Sequence, residues 1–247
     1  MNLHELIQAH APRVALQFSG GRDSLAMLLA LKEHWQDLTV YYTNSGDAYP
    51  ETLALISSVR AIVPHFKEVQ GNAPAVREAH GWPSDLVPTS DGWQGLMKYE
   101  DDLRLSDRYS CCYKSIMLPM QLQMREDGVT LILRGQRDSD IPRSLVEDGQ
   151  TLEGMVLAYP LKSWTTQDVT EYLASCDMPL PPFYAEGAKT ASDCMRCTAW
   201  LEHDSSQYLA KAHPEVAREV AAKLAQIRVV VEKKTARYAR AEEQLNG

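Results

Sequence analysis

Two groups of residues have the types and spacing that a chemical site requires. The first is the hexapeptide Ser19-Gly20-Gly21-Arg22-Asp23-Ser24, which follows an apolar run and opens an apolar-periodic segment. A strand, a glycine turn and a helix N-terminus direct free backbone N–H groups and the positive end of the helix dipole at one point. The glycines allow an anion to approach the backbone closely. We therefore predict a phosphate-binding loop in which Asp23 acts through Mg²⁺, with an ordinary serine-capped turn as the alternative.

The second group consists of four cysteines in two pairs, the adjacent Cys111 and Cys112 and the Cys-x-x-Cys pair Cys194 and Cys197. Four thiolates suit a [4Fe–4S] cluster or a tetrahedral zinc ion. Adjacent cysteines are harder to direct at a single zinc ion than at separate iron corners of a cubane. We therefore predict a [4Fe–4S] cluster. Zinc, a redox disulfide and buried unliganded thiols remain as alternatives, and Cys176 has no partner at a ligand spacing.

Three arginines, Arg134, Arg137 and Arg143, occupy one short polar segment after an apolar run. Guanidinium groups bind phosphate or sulfate through paired hydrogen bonds, so this segment is a candidate anion site, although a solvated charged loop has the same composition. Asp47 is a second carboxylate that could join Asp23 at a Mg²⁺ ion, since magnesium prefers oxygen ligands, although two surface carboxylates explain the pair equally well.

Strand and helix signals that alternate along the chain must position these groups. Strands are expected over 14–18, 39–42, 66–69, 130–133 and 156–159, with helices over 23–35, 50–62 and 165–174 and another beginning near Cys111. This alternation predicts an α/β fold with a doubly wound parallel sheet, in which ligands bind beyond the carboxyl ends of the strands. A segment rich in Gly, Pro, Ser and Trp over 81–95 predicts a loop over that site.

The pattern of the last part of the chain predicts an amphipathic helix. Val216, Val220, Leu224, Ile227 and Val231 recur at spacings of three and four, and eight Lys or Arg stand against three Glu between Lys211 and Arg240. The basic face could contact nucleic acid or an acidic partner, or be a solvated helix surface. We therefore expect one α/β domain over 1–200, followed by a helical extension over 201–247.

Composition narrows the class of protein. The chain has 247 residues, 45% hydrophobic content and a net charge of −8, which argues against indiscriminate nucleic-acid binding. No apolar run approaches the roughly 18 residues of a membrane span, and the first ten residues lack signal-peptide features. We expect a cytoplasmic protein without membrane contact, in which five cysteines are not a disulfide framework.

The hexapeptide resembles the pyrophosphate loop of the adenine-nucleotide α-hydrolase superfamily, whose members include ATP pyrophosphatases, thiolation enzymes and sulfonucleotide (APS/PAPS) reductases. The two cysteine pairs resemble the cluster signature of assimilatory APS reductases. Further blocks agree in the family's order between about residues 13 and 199: Tyr42-Thr43-Asn44-Ser45-Gly46 with Pro50-Glu51-Thr52, Cys111-Cys112-Tyr113-Lys114, Arg134-Gly135-Gln136-Arg137, and Tyr159-Pro160-Leu161 with Trp164-Thr165.

The resemblance implies an adenine nucleotide held by the phosphate loop together with Thr43, Asn44, Gly46, Gly135, Arg137 and Arg143. The family's reductases also carry a nucleophilic cysteine in a C-terminal Glu-Cys-Gly-Leu-His motif, whereas no cysteine follows Cys197 in this sequence. Nucleophilic catalysis needs its nucleophile. The missing thiol therefore places the complete reductase cycle in question.

We accordingly expect a PAPS-reductase-like enzyme that cleaves ATP at the α-phosphate, with Mg²⁺, Asp23, Arg137 and Arg143 at the reacting phosphates. The activated nucleic acid or small molecule would then receive sulfur, with help from the cluster and a sulfur-donor protein. The first alternative is a divergent APS/PAPS reductase that forms sulfite with an external thiol. The second is a non-catalytic nucleotide-binding iron–sulfur subunit. A homodimer is compatible with each of these functions.

Overall fold

A mostly parallel, six-stranded sheet forms the centre of the described chain. The computed structural model describes residues 2–86, 103–140, 144, 146–176 and 178–246. Its strands are β1 (Val14–Gln17), β2 (Leu38–Asn44), β3 (Phe66–Gln70), β4 (Trp82–Ser84), β5 (Leu105–Asp107), β6 (Leu131–Leu133), β7 (Thr151–Leu152) and β8 (Met155–Ala158). The large sheet has the order β3-β2-β1-β6-β8-β7, with only β7 antiparallel to its neighbour, while β4 and β5 form a separate parallel pair.

The helices cover both faces of the sheet. They are α1 (Leu3–His10), α2 (Arg22–Ala30), α3 (Pro50–Ile62), α4 (Ala73–His80), α5 (Arg108–Cys112), α6 (Leu118–Glu126), α7 (Thr166–Ser175), α8 (Ser206–Ala212) and α9 (Pro214–Asn246), and a π-helical turn, Tyr113–Met117, joins α5 to α6. In the part of the chain described above, none of the helices combines the length and apolar character needed to cross a bilayer.

The alternation of side chains along β1 explains the two helical layers. Val14 and Leu16 point into a core that includes Leu25 of α2 and Ile56 of α3, whereas Ala15 points into a second core with residues such as Met124 of α6. Successive strand residues face opposite sides of a sheet, and β1 is buried along nearly its whole length, as expected for a central parallel strand. The predicted doubly wound α/β fold is therefore confirmed.

Several predicted boundaries differ from the observed ones. The helix expected over 23–35 ends at Ala30 and continues as a 3₁₀ turn, Lys32–His34, and the C-terminal helix extends to Asn246. The predicted loop over 81–95 is wrong at its start, because Trp82–Ser84 pairs with Leu105–Asp107. Residues 87–95 of that loop, including Trp93, lie outside the described residues.

Gly71 marks a close approach between the π-helical turn and the loop that follows β3. A Cβ added there would lie 2.2 Å from the Ser115 carbonyl oxygen and 3.0 Å from that of Asn44. Both atoms belong to the backbone, so neither can move aside cheaply. The Gly71 N–H also donates to the Asn44 carbonyl, at 2.8 Å, which fixes the glycine in place.

We expect Gly71→Ala to lower the free energy of unfolding by about 1–3 kcal/mol, the usual cost of overpacking. Urea unfolding measures it. Gly128→Ala is the control: this glycine has φ 70° but nothing within 4 Å of the added carbon, so it reports the cost of an unfavourable φ alone. A Gly71→Ala protein as stable as the parent would contradict the observed contact.

Candidate nucleotide and cysteine sites

The predicted phosphate loop connects β1 to α2 at the carboxyl edge of the sheet. Gly20 has φ 78°, and a Cβ there would lie 2.8 Å from Cγ2 of Thr52 in α3. Gly21 is the N-cap of α2, and no side chain at this position hydrogen-bonds to the free N–H groups of the first turn. The Ser19 and Ser24 hydroxyl oxygens lie 3.2 Å apart, and the Ser24 hydroxyl donates to the Gly21 carbonyl. The loop is thus internally braced, with the positive end of the α2 dipole directed outward.

Tyr184, which the sequence analysis did not single out, lies over this helix N-terminus. Its hydroxyl oxygen accepts the Arg22 backbone N–H at 3.0 Å, and its ring lies 5.4 Å from the Arg22 guanidinium carbon. A Cβ at Gly21 would be 3.4 Å from the same hydroxyl and 3.6 Å from Ala191. The segment that leads to Cys194 therefore covers one side of the loop. Its Tyr184 hydroxyl oxygen accepts the hydrogen bond that a bound anion would otherwise accept from the Arg22 N–H.

The arginine segment after β6 packs directly on the phosphate loop. Gly135 is required there, because a Cβ would lie 3.0 Å from the Asp23 carbonyl. The buried Arg137 places Nε 3.3 Å from Asp23 Oδ1, and its other nitrogens donate to Thr166 and Asp140. Burial raises the pKa of Asp23, and the charge of Arg137 opposes that rise.

Two further arginines were expected beside Arg137. Arg134 is half-buried, and it donates through Nε to Gln17. Arg143 lies outside the described residues, so its predicted place at the nucleotide remains a prediction.

Unpartnered polar atoms concentrate at this edge of the sheet. Among the described residues, five buried side-chain atoms have no hydrogen-bond partner: Arg22 Nε, Asp23 Oδ1, Thr43 Oγ1, Thr52 Oγ1 and Arg137 Nε. Thr43 lies at the end of β2, Thr52 in the first turn of α3, and the other three follow β1 or β6. Asp23 Oδ1 and Arg137 Nε face each other at 3.3 Å as an ion pair without a hydrogen bond. An unsatisfied buried polar group costs about 1–3 kcal/mol, so such groups are rare in native proteins unless something else binds them.

The residues at the end of β2 and just after it, expected at the nucleotide or at Mg²⁺, make contacts within the protein. The Asn44 amide donates to Glu68, and its oxygen accepts the N–H of Gly46, which has φ 77°. Asp47 is buried and accepts from Arg77 and Arg196, each at 2.8 Å. Both carboxylate oxygens of Asp47 are therefore held by guanidinium groups, which differs from the suggested role as a Mg²⁺ ligand beside Asp23.

Asp47 also holds the Cys-x-x-Cys loop. Its carbonyl accepts the Met195 N–H at 2.7 Å, and its carboxylate accepts the Arg196 N–H at 3.2 Å. The Ser45 hydroxyl donates to the Asp193 carbonyl at 2.7 Å. The loop that follows β2 thus positions the loop that carries Cys194 and Cys197, although 149 residues separate Asp47 from Arg196.

The fold brings the two cysteine pairs together. Cys111 and Cys112 end α5, and both lie near enough to Cys197 that negative charge on one thiol would raise the pKa of the other. All of the cysteines are free thiols, which excludes a disulfide between the pairs in this structure. Burial raises the pKa of Cys112 to about 12 and that of Cys197 to about 11. Cys176 is instead the C-cap of α7.

This donor set has the chemistry of a four-sulfur metal centre. Metal binding deprotonates thiols, and a cation would offset the cost of burying their charge. In residues 2–86, 103–140, 144, 146–176 and 178–246, no three His, Cys, Asp or Glu side chains are arranged closely enough to hold a metal ion. The identity of the sulfur ligands fits an iron–sulfur cluster, while the predicted coordination geometry is not formed.

The similarity to known proteins extends over most of the chain. The model of the phosphoadenosine phosphosulfate reductase domain family matches residues 13–200. An adenosine 5'-phosphosulfate reductase of Deinococcus radiodurans is 28% identical over 165 residues, which are 64% of this chain and 56% of the relative. A phosphoadenosine 5'-phosphosulfate reductase of Gloeobacter violaceus is 26% identical, over 80% of this chain and 76% of its own length. This chain thus spans just over half the length of the Deinococcus relative.

A solved structure supports the fold independently. The phosphoadenylyl-sulfate reductase of Candida auris, determined as a phosphate complex, superimposes with a TM-score of 0.55 at 17% identity. The match covers 77% of this chain and 85% of that one. At this identity the likeness concerns the fold alone. The family match over residues 13–200 carries the assignment: this chain belongs to the phosphoadenosine phosphosulfate reductase domain family.

Proposed function

We propose that this protein is a sulfonucleotide reductase that binds APS or PAPS at the phosphate loop and releases sulfite with a thiol from a separate molecule. The observation that carries the proposal is the group of buried polar atoms without hydrogen-bond partners at the carboxyl edge of the sheet, above all Arg22 Nε at the N-terminus of α2. A nucleotide phosphate joined to a sulfate supplies the acceptor that Arg22 Nε lacks. The names of the Deinococcus and Gloeobacter relatives favour this substrate class.

The reaction proceeds in two thiol steps. A thiolate attacks the sulfur of the phosphosulfate, the bond between that sulfur and the bridging oxygen breaks, and the nucleotide leaves as AMP or PAP with the bridging oxygen. The product is a thiosulfonate on the attacking thiol. A second thiolate attacks the thiol sulfur of this adduct, which forms a disulfide and releases sulfite. The two thiols supply the two electrons.

The chain's own residues stabilise charge in the first step. The N-terminus of α2 and Arg22 face the anionic nucleotide, and charge on the departing phosphate is best stabilised by such fixed donors. Asp23 is a positioning residue, because it holds Arg137 against the loop. The external thiol is proposed because four of the cysteines are the proposed cluster ligands, and Cys176 stands at the end of α7 rather than in a C-terminal segment like that of the family's nucleophilic cysteine.

The proposed cofactor is a [4Fe–4S] cluster on Cys111, Cys112, Cys194 and Cys197, with zinc as the alternative. When bound, such a cluster supplies a sulfur-ligated redox centre. Asp47 and its arginines would orient the Cys-x-x-Cys side of it.

ATP cleavage, the first expectation from sequence, has less support. The relatives are named as reductases, and the two carboxylates expected to hold Mg²⁺ contact arginines instead. We therefore treat pyrophosphate formation as the competing outcome of the test below.

The test uses protein purified without oxygen and supplied with a small dithiol. APS, PAPS and ATP are offered separately, and sulfite, AMP, PAP and pyrophosphate are measured. Sulfite together with AMP or PAP is the expected result. Pyrophosphate from ATP without sulfite from either sulfonucleotide would overturn the proposal. Tight nucleotide binding without any product would favour a non-catalytic subunit.

Arg22→Met tests the binding site itself. Loss of a hydrogen bond to a charged group costs about 1.5–3 kcal/mol, so we expect the Kd for the nucleotide to rise roughly tenfold to hundredfold. Isothermal titration calorimetry measures it. Arg218→Met, on the exposed face of α9, is the matched control and should leave the Kd unchanged. Equal Kd values for both variants would place the nucleotide elsewhere.

A further inference from the structure

A single apolar stripe runs along the whole of α9. Its positions follow spacings of three and four residues from one end of the helix to the other: Ala217, Val220, Leu224, Ile227, Val231, Lys234, Tyr238, Ala241 and Leu245. Such a stripe, with period 3.5, is the pattern by which one helix packs against another.

Only the first half of the stripe is covered by the described protein. Val220 packs with Tyr208 and Leu209 of α8, and Ile227 packs with Leu105 of β5. Beyond Val231 the pattern continues, but Tyr238 is 80% exposed and Leu245 is 87% exposed. We call residues 232–246 the distal segment. It is about 22 Å long at 1.5 Å per residue.

We propose that the distal segment pairs antiparallel with the distal segment of a second copy of this chain. The proposal is independent of the enzymatic function. Its first support is steric. The protein body already covers the stripe up to Val231, so a parallel partner helix alongside it would run into that body. An antiparallel partner overlaps only the distal segment and leaves the two bodies at opposite ends.

The charges of the distal segment favour the same direction. Residues 233–240 carry four basic side chains and no acidic one, whereas 241–246 carry Glu242 and Glu243 and no basic one. Antiparallel pairing sets the basic part of one copy against the acidic part of the other. Parallel pairing would set basic against basic, which is unfavourable. Glu232, at the start of the segment, already pairs with Arg228.

The sizes of the stripe residues are also complementary in this direction. With the two segments fully overlapped, Tyr238 lies across from Ala241 of the partner subunit. Leu245 lies across from the aliphatic stem of Lys234 of the partner subunit. Large side chains thus meet small or flexible ones, as interdigitating helices require. A lysine on the stripe limits stability, so the dimer should dissociate on dilution.

Light scattering coupled to gel filtration, over a hundredfold range of concentration, tests the proposal. The parent protein should approach twice its 27.7 kDa mass at the highest concentration. Glu242→Arg/Glu243→Arg should give a monomer. Adding Arg237→Glu/Arg240→Glu exchanges the signs of the charges between residues 237 and 243, while Lys233 and Lys234 stay basic, and should restore the dimer.

Control variants test whether any loss of the dimer is specific to the distal segment. Arg218→Glu makes a charge change on the covered half of α9 and should still dimerise. Melting curves should coincide for all variants, because the altered residues are exposed. A monomeric parent at every concentration would overturn the proposal, as would failure of the fourfold variant to restore the dimer. So would nucleic-acid binding by a protein that stays monomeric.

Discussion

Asp47→Asn is expected to lower the free energy of unfolding by about 3–5 kcal/mol, the cost of removing one partner from a buried ion pair. The Asp47 and Arg77 side chains are only 3% and 6% exposed. The amide keeps the shape of the carboxylate but leaves the Arg77 guanidinium buried without its counter-charge. The same change weakens both contacts to Arg196, so the Cys-x-x-Cys loop loses its anchor. Urea unfolding measures the first effect, and metal content measures the second.

Two comparisons make this result specific to the buried pair. Glu215→Ala removes a carboxylate from an exposed pair with Arg218 and should change stability by less than about 1 kcal/mol. Asp47→Asn/Arg77→Met should be less destabilised than the sum of its single variants, because the second change removes the stranded charge. Additive losses would show that Asp47 and Arg77 do not act as a pair.

The parts of the site that could be predicted from sequence are the locally encoded ones. Ser19–Ser24 needs only a strand before it and a helix after it, and both signals lie within about fifteen residues. The prediction that Gly135 and Arg137 approach this loop came from family resemblance, and the observed 3.3 Å between Arg137 and Asp23 agrees with it. Likewise, residue type and spacing singled out the four cysteines, and the fold brings Cys111 and Cys112 near Cys197.

The contacts that could not be predicted join residues far apart in the chain. The sequence suggested Asp47 as a Mg²⁺ ligand and gave no sign of its arginine partners. Those partners lie 30 and 149 residues away, and no local pattern connects them to Asp47. Tyr184 reaches Arg22 across 162 residues, and its neighbouring prolines indicated only irregular structure. α4 was missed because its eight residues are too few for a periodic pattern to stand out from a loop, and only Ala73 and Arg77 among them are buried.

Cys194→Ser is expected to abolish binding of the proposed cluster, whereas Cys176→Ser should leave it intact. A serine oxygen is a poor ligand for iron in place of a thiolate, and loss of one of four ligands opens the site to solvent and oxygen. In protein purified without oxygen, the parent and Cys176→Ser should each hold about four iron and four sulfide per chain. Cys194→Ser should hold almost none.

Metal and sulfide contents of the parent, Cys194→Ser and Cys176→Ser identify both the metal and its ligands. One zinc per chain without sulfide in the parent would replace the cluster by a tetrahedral ion, and loss of that zinc in Cys194→Ser would still assign the ligand. Equal metal content in Cys194→Ser and Cys176→Ser would remove Cys194 from the ligand set. Because Cys194 lies in the loop held by Asp47, Asp47→Asn should weaken metal retention while leaving all four sulfurs in place. A metal content that falls in Cys194→Ser but not in Asp47→Asn would mean that the sulfurs alone position the centre, without the ion pair beneath them.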